Sequence, residues 1–157
     1  MPYSLENKLV VGISSRALFD LEEENRIFET EGLEAYSAYQ IEHEHDILKP
    51  GTAFPLVKAL SKLDIDGEKA TEVIIISRNS ADTSLRIFNS IKHYGLDISR
   101  AALLSGSSIE PYLEPFKTDL FLSANPHDVQ AAVNAGVAAG VICSHPELNV
   151  DPDDDIA

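Results

Sequence analysis

The chain has 157 residues, 44% hydrophobic and 24% charged, with 26 acidic against 12 basic side chains and a net charge of −14. That length and composition fit one globular domain with a core of useful size, and the acidic excess excludes a nucleic-acid or anionic-membrane surface, because either needs a basic stripe. The lone cysteine, Cys143, excludes an internal disulfide and fits a reducing cytoplasm, while the opening MPYSLENKLV lacks the basic-then-apolar pattern of a leader.

The first predicted element is a strand over Lys8–Ile13, apolar without alternation and so buried on both faces. Leu18 to Phe28 has no clear period. Gly32 to Asp46 reads as helical, with Leu33, Tyr36, Tyr39 or Gln40, and Ile47 near the helical spacing. Lys49-Pro50-Gly51 is a stop. Thr52 is a candidate N-cap for a helix to Leu63, with Pro55 in its first turn. Asp64 to Ala70 reads as a polar loop, and Thr71–Ser77 as a strongly β-branched strand.

A helix to Tyr94 comes next, expected to turn Leu85, Phe88, Ile91 and Tyr94 inward and to end at Gly95. Then come a strand at Ala101–Leu104, a short helix over Pro111–Phe116 and a strand at Asp119–Ser123. A helix from Asn125-Pro126 to about Val137 and a strand at Gly140–Cys143 complete the series. This alternation predicts an α/β domain over residues 1–146: a three-layer α/β/α arrangement around a mainly parallel, Rossmann-like sheet. The acidic run at 147–157 is a candidate tail or linker.

In such sheets the ligand site lies beyond the carboxyl ends of the strands. Those ends read Ser14-Ser15-Arg16, Ser77-Arg78-Asn79, Ser105-Gly106-Ser107-Ser108 and Ser123-Ala124-Asn125. Hydroxyls and backbone N–H groups in that number can cradle a phosphate, with Arg16 and Arg78 supplying charge. The same residues also cap helices and make turns, so the pattern alone leaves both roles open. The candidate phosphate or nucleotide ligands are therefore Ser14, Ser15, Arg16, Ser77, Arg78 and Asn79.

Other groups are weaker. Asp20, the first carboxylate after the opening strand, reads as a loop or N-cap residue before Glu22-Glu23-Glu24. Glu42-His43-Glu44-His45-Asp46 offers ligand-type side chains, but neighbours two apart on a helix face different ways, so no metal site is assigned. Tyr36, Tyr39 and Tyr112 can stack on a base, though a half-buried packing role suits them equally.

Three segments carry a family resemblance. They are VGISSRALFDLEEENRIFETEGLEAYSAYQIEHEHDILKPGTAFPLVKAL, VIIISRNS, and the run from RIFNSIKHYGLDISR through SANPHDVQAAVNAGVAAGVI. Across Lys8–Cys143 the chain resembles the type I cytosolic 5′-nucleotidases of the haloacid dehalogenase-like superfamily, and within them the first of two related halves. The resemblance implies a cytoplasmic Mg²⁺-dependent hydrolase of nucleoside 5′-monophosphates. It also implies an aspartate nucleophile at the end of the first strand and an acid/base aspartate two residues on. A hydroxyl after the second core strand, a lysine, and a late acid pair for the metal complete the set.

Aligned on Leu18-Phe19, the two aspartate positions fall on Ile13 and Ser15, or on Ser14 and Arg16 after a one-residue slip. The lysine position falls near Ile109 and the late acids on Ser123-Ala124; only Ser77 keeps its role. The expectation is a half without catalytic residues of its own. It would hold a nucleoside monophosphate or phosphate, or scaffold a catalytic half or a second copy, and would contact neither nucleic acid nor membrane.

Overall fold

The structure is a computed structural model and describes residues 8–78 and 81–143. Strand β1 (Leu9–Ile13) leads into the short helix α1 (Ser15–Leu18), and two antiparallel helices come next, α2 (Glu22–Glu31) and α3 (Leu33–Glu42). The chain continues through α4 (Phe54–Ser61), a hairpin of β2 (Asp64–Ile65) and β3 (Glu68–Lys69), β4 (Thr71–Ser77) and α5 (Ala81–Tyr94). The remaining elements are β5 (Ile98–Leu103), α6 (Glu110–Leu113), β6 (Leu120–Ser123), α7 (Pro126–Asn134) and β7 (Ala138–Val141).

The main sheet has the order β5-β4-β1-β6-β7, and every pairing in it is parallel. The central strand β1 pairs Val11 with Val73 on one side and with Leu120 on the other. Strand pleating sorts the core into two layers. Val11, Ile13, Val73 and Ile75 pack with Leu18, Phe54, Val57, Ile87 and Ile91 from α1, α4 and α5. Val10, Ile74 and Ile76 pack on the opposite face with Ile109, Leu113 and Ala132 around α6 and α7. The result is the expected three-layer α/β/α domain.

Several expectations need correction. α5 buries Thr83, Arg86, Ile87, Ser90 and Ile91, whereas Leu85 and Phe88 stay open to solvent. Buried polar groups on this helix face take the positions that periodicity assigns to apolar ones. Thr52 is exposed and does not cap α4: Ala53 holds the N-cap position without a side-chain bond. The segment 64–70 is a hairpin because Asp64 Oδ1 accepts the Gly67 N–H at 2.7 Å and Gly67 turns at φ 82°. Strand β4 is buried along its whole length and carries a glutamate into that environment. Its buried Glu72 accepts from Arg100 Nε of β5 at 2.9 Å, and the Arg100 guanidinium lies over the Phe116 ring.

The α2–α3 pair stands over the strand ends on a two-stranded neck. Asp20 N donates to Lys49 O and Gly51 N to Leu18 O, both at 2.8 Å, and Phe19 bridges Pro50. Beneath the neck Phe19, Phe54 and Tyr94 cluster, with the Tyr94 hydroxyl donating to Leu48 O at 2.7 Å.

Burial raises the Tyr94 pKa above the ordinary tyrosine value. The group's stabilisation is therefore complete below about pH 10, the unfolded value, and is lost as pH rises beyond it. Tyr94→Phe should cost about 1 kcal/mol at pH 8 by leaving Leu48 O without its donor, and that deficit should shrink as pH rises past about 10. Thermal melts of both proteins below and above that pH check it; a constant gap would remove the titration from the account.

Candidate functional site

The strand order puts a topological switch at β1. The chain moves outward through β4 and β5, then returns to pair β6 on β1's other side. A crevice opens at such a point, beyond the carboxyl ends. A cavity of about 520 Å³ lies there, floored by the strand-end loops and walled by α2 and α3.

The floor is a network of hydroxyls. β1 ends at Ile13, whose side chain is fully buried in the core rather than in the cavity. Ser14 caps α1: its Oγ accepts from Ala17 N at 3.3 Å and from Ala124 N at 3.4 Å, so it staples the β1 end to the β6 end. Ser15 and Ser77 are both buried and join β1 to β4 through a 2.8 Å hydroxyl–hydroxyl bond. Ser123 Oγ accepts from Asn125 N at 3.0 Å, and Asn125 caps α7 through His127 N.

Capping does not exhaust these hydroxyls. A serine oxygen that accepts a backbone N–H still has its own proton to donate. Ser105 (φ 46°) and Gly106 (φ 86°) turn through the left-handed region on the cavity wall, and Gly106 N donates to Arg78 O at 2.9 Å. That bond ties the loop after β5 to the loop after β4.

Two arginines reach the cavity. Arg78 Nε lies 3.3 Å from the Asp128 carboxylate. Arg16 makes a 3.4 Å ion pair with Glu22 through Nη2, and its Nε is buried with no hydrogen-bond partner. Of the six residues singled out by sequence, Ser14, Ser15, Arg16, Ser77 and Arg78 line this one cavity. Asn79 lies outside the described residues.

Of the opposite wall, sequence reasoning singles out Tyr36 alone. Leu21, Glu24, Asn25, Phe28, Glu29, Leu33 and Tyr36 face the cavity from the helical hairpin. Glu24 is buried because Arg86 Nη1 donates to it at 2.6 Å and to Gln40 Oε1 at 3.1 Å, while Arg86 Nε donates to Asp46 O. One guanidinium thereby fastens α2, α3 and the chain after α3 to α5. The hint in the sequence is a polar residue within a helical apolar stripe.

Asp20 is exposed and accepts from Glu22 N at 3.1 Å, the N-terminal loop role expected of it. In the acidic-histidine segment, the carbonyls of Glu44 and Asp46 take Asn89 Nδ2 and Arg86 Nε. The His43 ring stacks on Tyr39 at 4.0 Å.

A Mg²⁺ ion asks for carboxylate oxygens in near-octahedral array. The strand-end donors here are hydroxyls and amides, and two cavity carboxylates, Glu24 and Asp128, are engaged by Arg86 and Arg78. The described residues do not fit the ion. No group of three His, Cys, Asp or Glu among them stands close enough to hold a metal.

A parallel α/β sheet with a polar strand-end cavity beneath a helical cap defines a Rossmann-like domain whose cavity sits at the switch point, where such folds bind ligands. A family model described as 5′-nucleotidase matches residues 1–156, so the chain belongs to the 5′-nucleotidase family, and with it to the haloacid dehalogenase-like superfamily. It is 34% identical over 148 residues to the human protein named cytosolic 5′-nucleotidase 1B. That match covers 90% of this chain and 24% of the relative, so the chain spans about a quarter of that protein's length. Among the described residues, no helix is long and apolar enough to cross a membrane.

Proposed function

We propose that this chain is the substrate-holding half of a cytoplasmic 5′-nucleotidase, a domain over residues 1–146 with the acidic stretch 147–157 as its tail or linker. It holds the phosphate of a nucleoside 5′-monophosphate at Ser14, Ser15, Arg16, Ser77, Arg78 and Asn79. The acids and the Mg²⁺ of hydrolysis belong to a second half or another subunit.

The observation that carries this reading is Arg16 Nε, a buried donor without a partner beside a floor of hydroxyls. Leaving such a donor unmet costs about 1–3 kcal/mol, which an anionic ligand oxygen recovers. Catalysis by this chain is disfavoured by what stands at the nucleophile and acid/base positions: core-packed Ile13 and hydrogen-bonded Ser15 in one register, Ser14 and Arg16 in the other. A hydroxyl nucleophile would need a base beside it.

Calorimetric titration with AMP should show binding, weakened about tenfold or more in Arg16→Gln. The purified chain should show no turnover of AMP or IMP with Mg²⁺ above that of Ser77→Ala. Absence of heat at millimolar AMP would overturn the binding role, and robust turnover lost in Ser77→Ala would overturn the division of labour.

A further inference from the structure

We propose that the outer edge of β7 is a self-association surface, on which a second copy of this chain lays its own β7 antiparallel to extend the sheet. The inference concerns the sheet edge and is independent of the phosphate reading above.

The edge is unguarded. β5 and β7 are the two outer strands of the main sheet. Outer strands leave backbone N–H and C=O groups unpaired, and charge, proline or a bulge ordinarily protects them. β5 has such protection: Arg100 stands within it, and its register against β4 shifts between Val73 and Ile75. β7 has none. After Asp128, the fifteen residues from Val129 to Cys143 carry no charge, in a chain that is 24% charged. Of these fifteen only Ala132 is buried, while Val133 and Val141 are 49% and 42% exposed.

The register then favours a second copy over an unrelated strand. Ile142 N donates to Ser123 O, and β7 sets Val141 beside Ser123 and Ala139 beside Phe121. Alternate residues of a parallel ladder serve one neighbour. Ala138, Gly140 and Ile142 therefore turn their backbone groups to β6, and Ala139 and Val141 turn theirs outward. An antiparallel copy of the same strand sets Ala139 opposite Val141 of the second copy, and Val141 opposite Ala139 of the second copy. Each pair exchanges both of its hydrogen bonds about a two-fold axis at Gly140.

Gly140 suits that axis. Its φ is not positive, and an added Cβ would make only ordinary contact with Leu122 Cδ2 at 3.5 Å, so the single chain does not require glycine there. A glycine within a strand often marks the close approach of another backbone. On the axis the two Gly140 residues form the narrow pair, with Cα atoms about 4.5 Å apart. The neutral seam also matters for charge. Two chains of net charge −14 repel except where they present an uncharged face, and salt should strengthen their contact.

Sedimentation equilibrium of the full chain should show a dimer forming as protein approaches about 1 mM. Its fraction should be larger in about 1 M salt than in about 0.1 M. Val141→Pro removes an N–H that points away from β6, so it should abolish the dimer and keep the circular dichroism spectrum. Val141→Lys should weaken association about tenfold or more. In the wild type, the Ala139 and Val141 amides should exchange hydrogen more slowly at high protein concentration, with Gly140 and Ile142 unchanged. A wild type monomeric at both salt concentrations overturns the pairing and leaves the edge to a strand of some other protein. A dimer of undiminished affinity in both variants, or one without concentration-dependent protection of Ala139 and Val141, overturns it as well.

Discussion

Replacing Arg86 by methionine should destabilise the domain by about 3–5 kcal/mol, the largest loss expected from any one polar side chain here. The guanidinium is 9% exposed and the Glu24 carboxylate it meets is 7% exposed, so removing the cation strands a buried anion. Gln40 Oε1 and the Asp46 carbonyl lose a donor in the same step. For a chain of this length the loss corresponds to a fall in melting temperature of roughly 6–20 °C.

The test lies in the double variant. Arg86→Met with Glu24→Met removes both charges and should recover most of the loss, because desolvation nearly cancels the attraction in a buried pair. Urea unfolding of the two single variants and the double variant gives the coupling. A loss below about 1 kcal/mol for Arg86→Met would mean that water reaches Glu24 and that the cap is not fastened there.

Gly51→Ala is the second large effect, expected at about 3 kcal/mol, the upper end for overpacking. A Cβ at position 51 would stand 2.8 Å from Ala17 O and from Phe19 C, and 2.9 Å from Phe19 N. All three are backbone atoms of the neck and of α1, with no flexible side chain to swing aside. Relief requires α1 to shift, and Ser14, Ser15 and Arg16 shift with it. Denaturant midpoints should therefore fall together with AMP affinity. An alanine variant within about 0.5 kcal/mol of wild type, the range of neutral surface changes, would show that the neck yields freely.

These two residues mark the reach of local sequence patterns. Gly51 is legible as a stop-and-turn signal, since Lys-Pro-Gly punctuates any chain. Its close packing on Phe19, far earlier in the chain, has no local signature. Arg86 shows no local sign of burial because its partners Glu24 and Gln40 lie 62 and 46 residues away. Leu85 and Phe88 read as inward for the complementary reason. Periodicity counts apolar residues, and on α5 the buried face carries Thr83, Arg86 and Ser90 as well.

The floor of the cavity is the more readable part. In a parallel sheet every strand ends on the same side, so four polar strand ends have to meet once the alternation of elements is recognised. The cap wall is not readable. Helix α2 begins at an Asp20-supported turn with three glutamates, a pattern equally suited to a solvated loop. Nothing local says that Phe28 and Tyr36 fold back over the strands.

The sequence by itself determined the class of fold, the family, the polar strand ends that line one cavity, and the absence of carboxylates at Ile13–Arg16. The class of fold and the strand ends come from local composition and element order, the family from the segments that carry the resemblance. Only the tertiary structure decided that Ser15 bonds Ser77, that Arg16 Nε is left without a partner, and that Arg86 holds an aromatic cap above the floor. Those are contacts between residues distant in the chain, and their energy depends on burial and on partners that no short stretch of sequence contains.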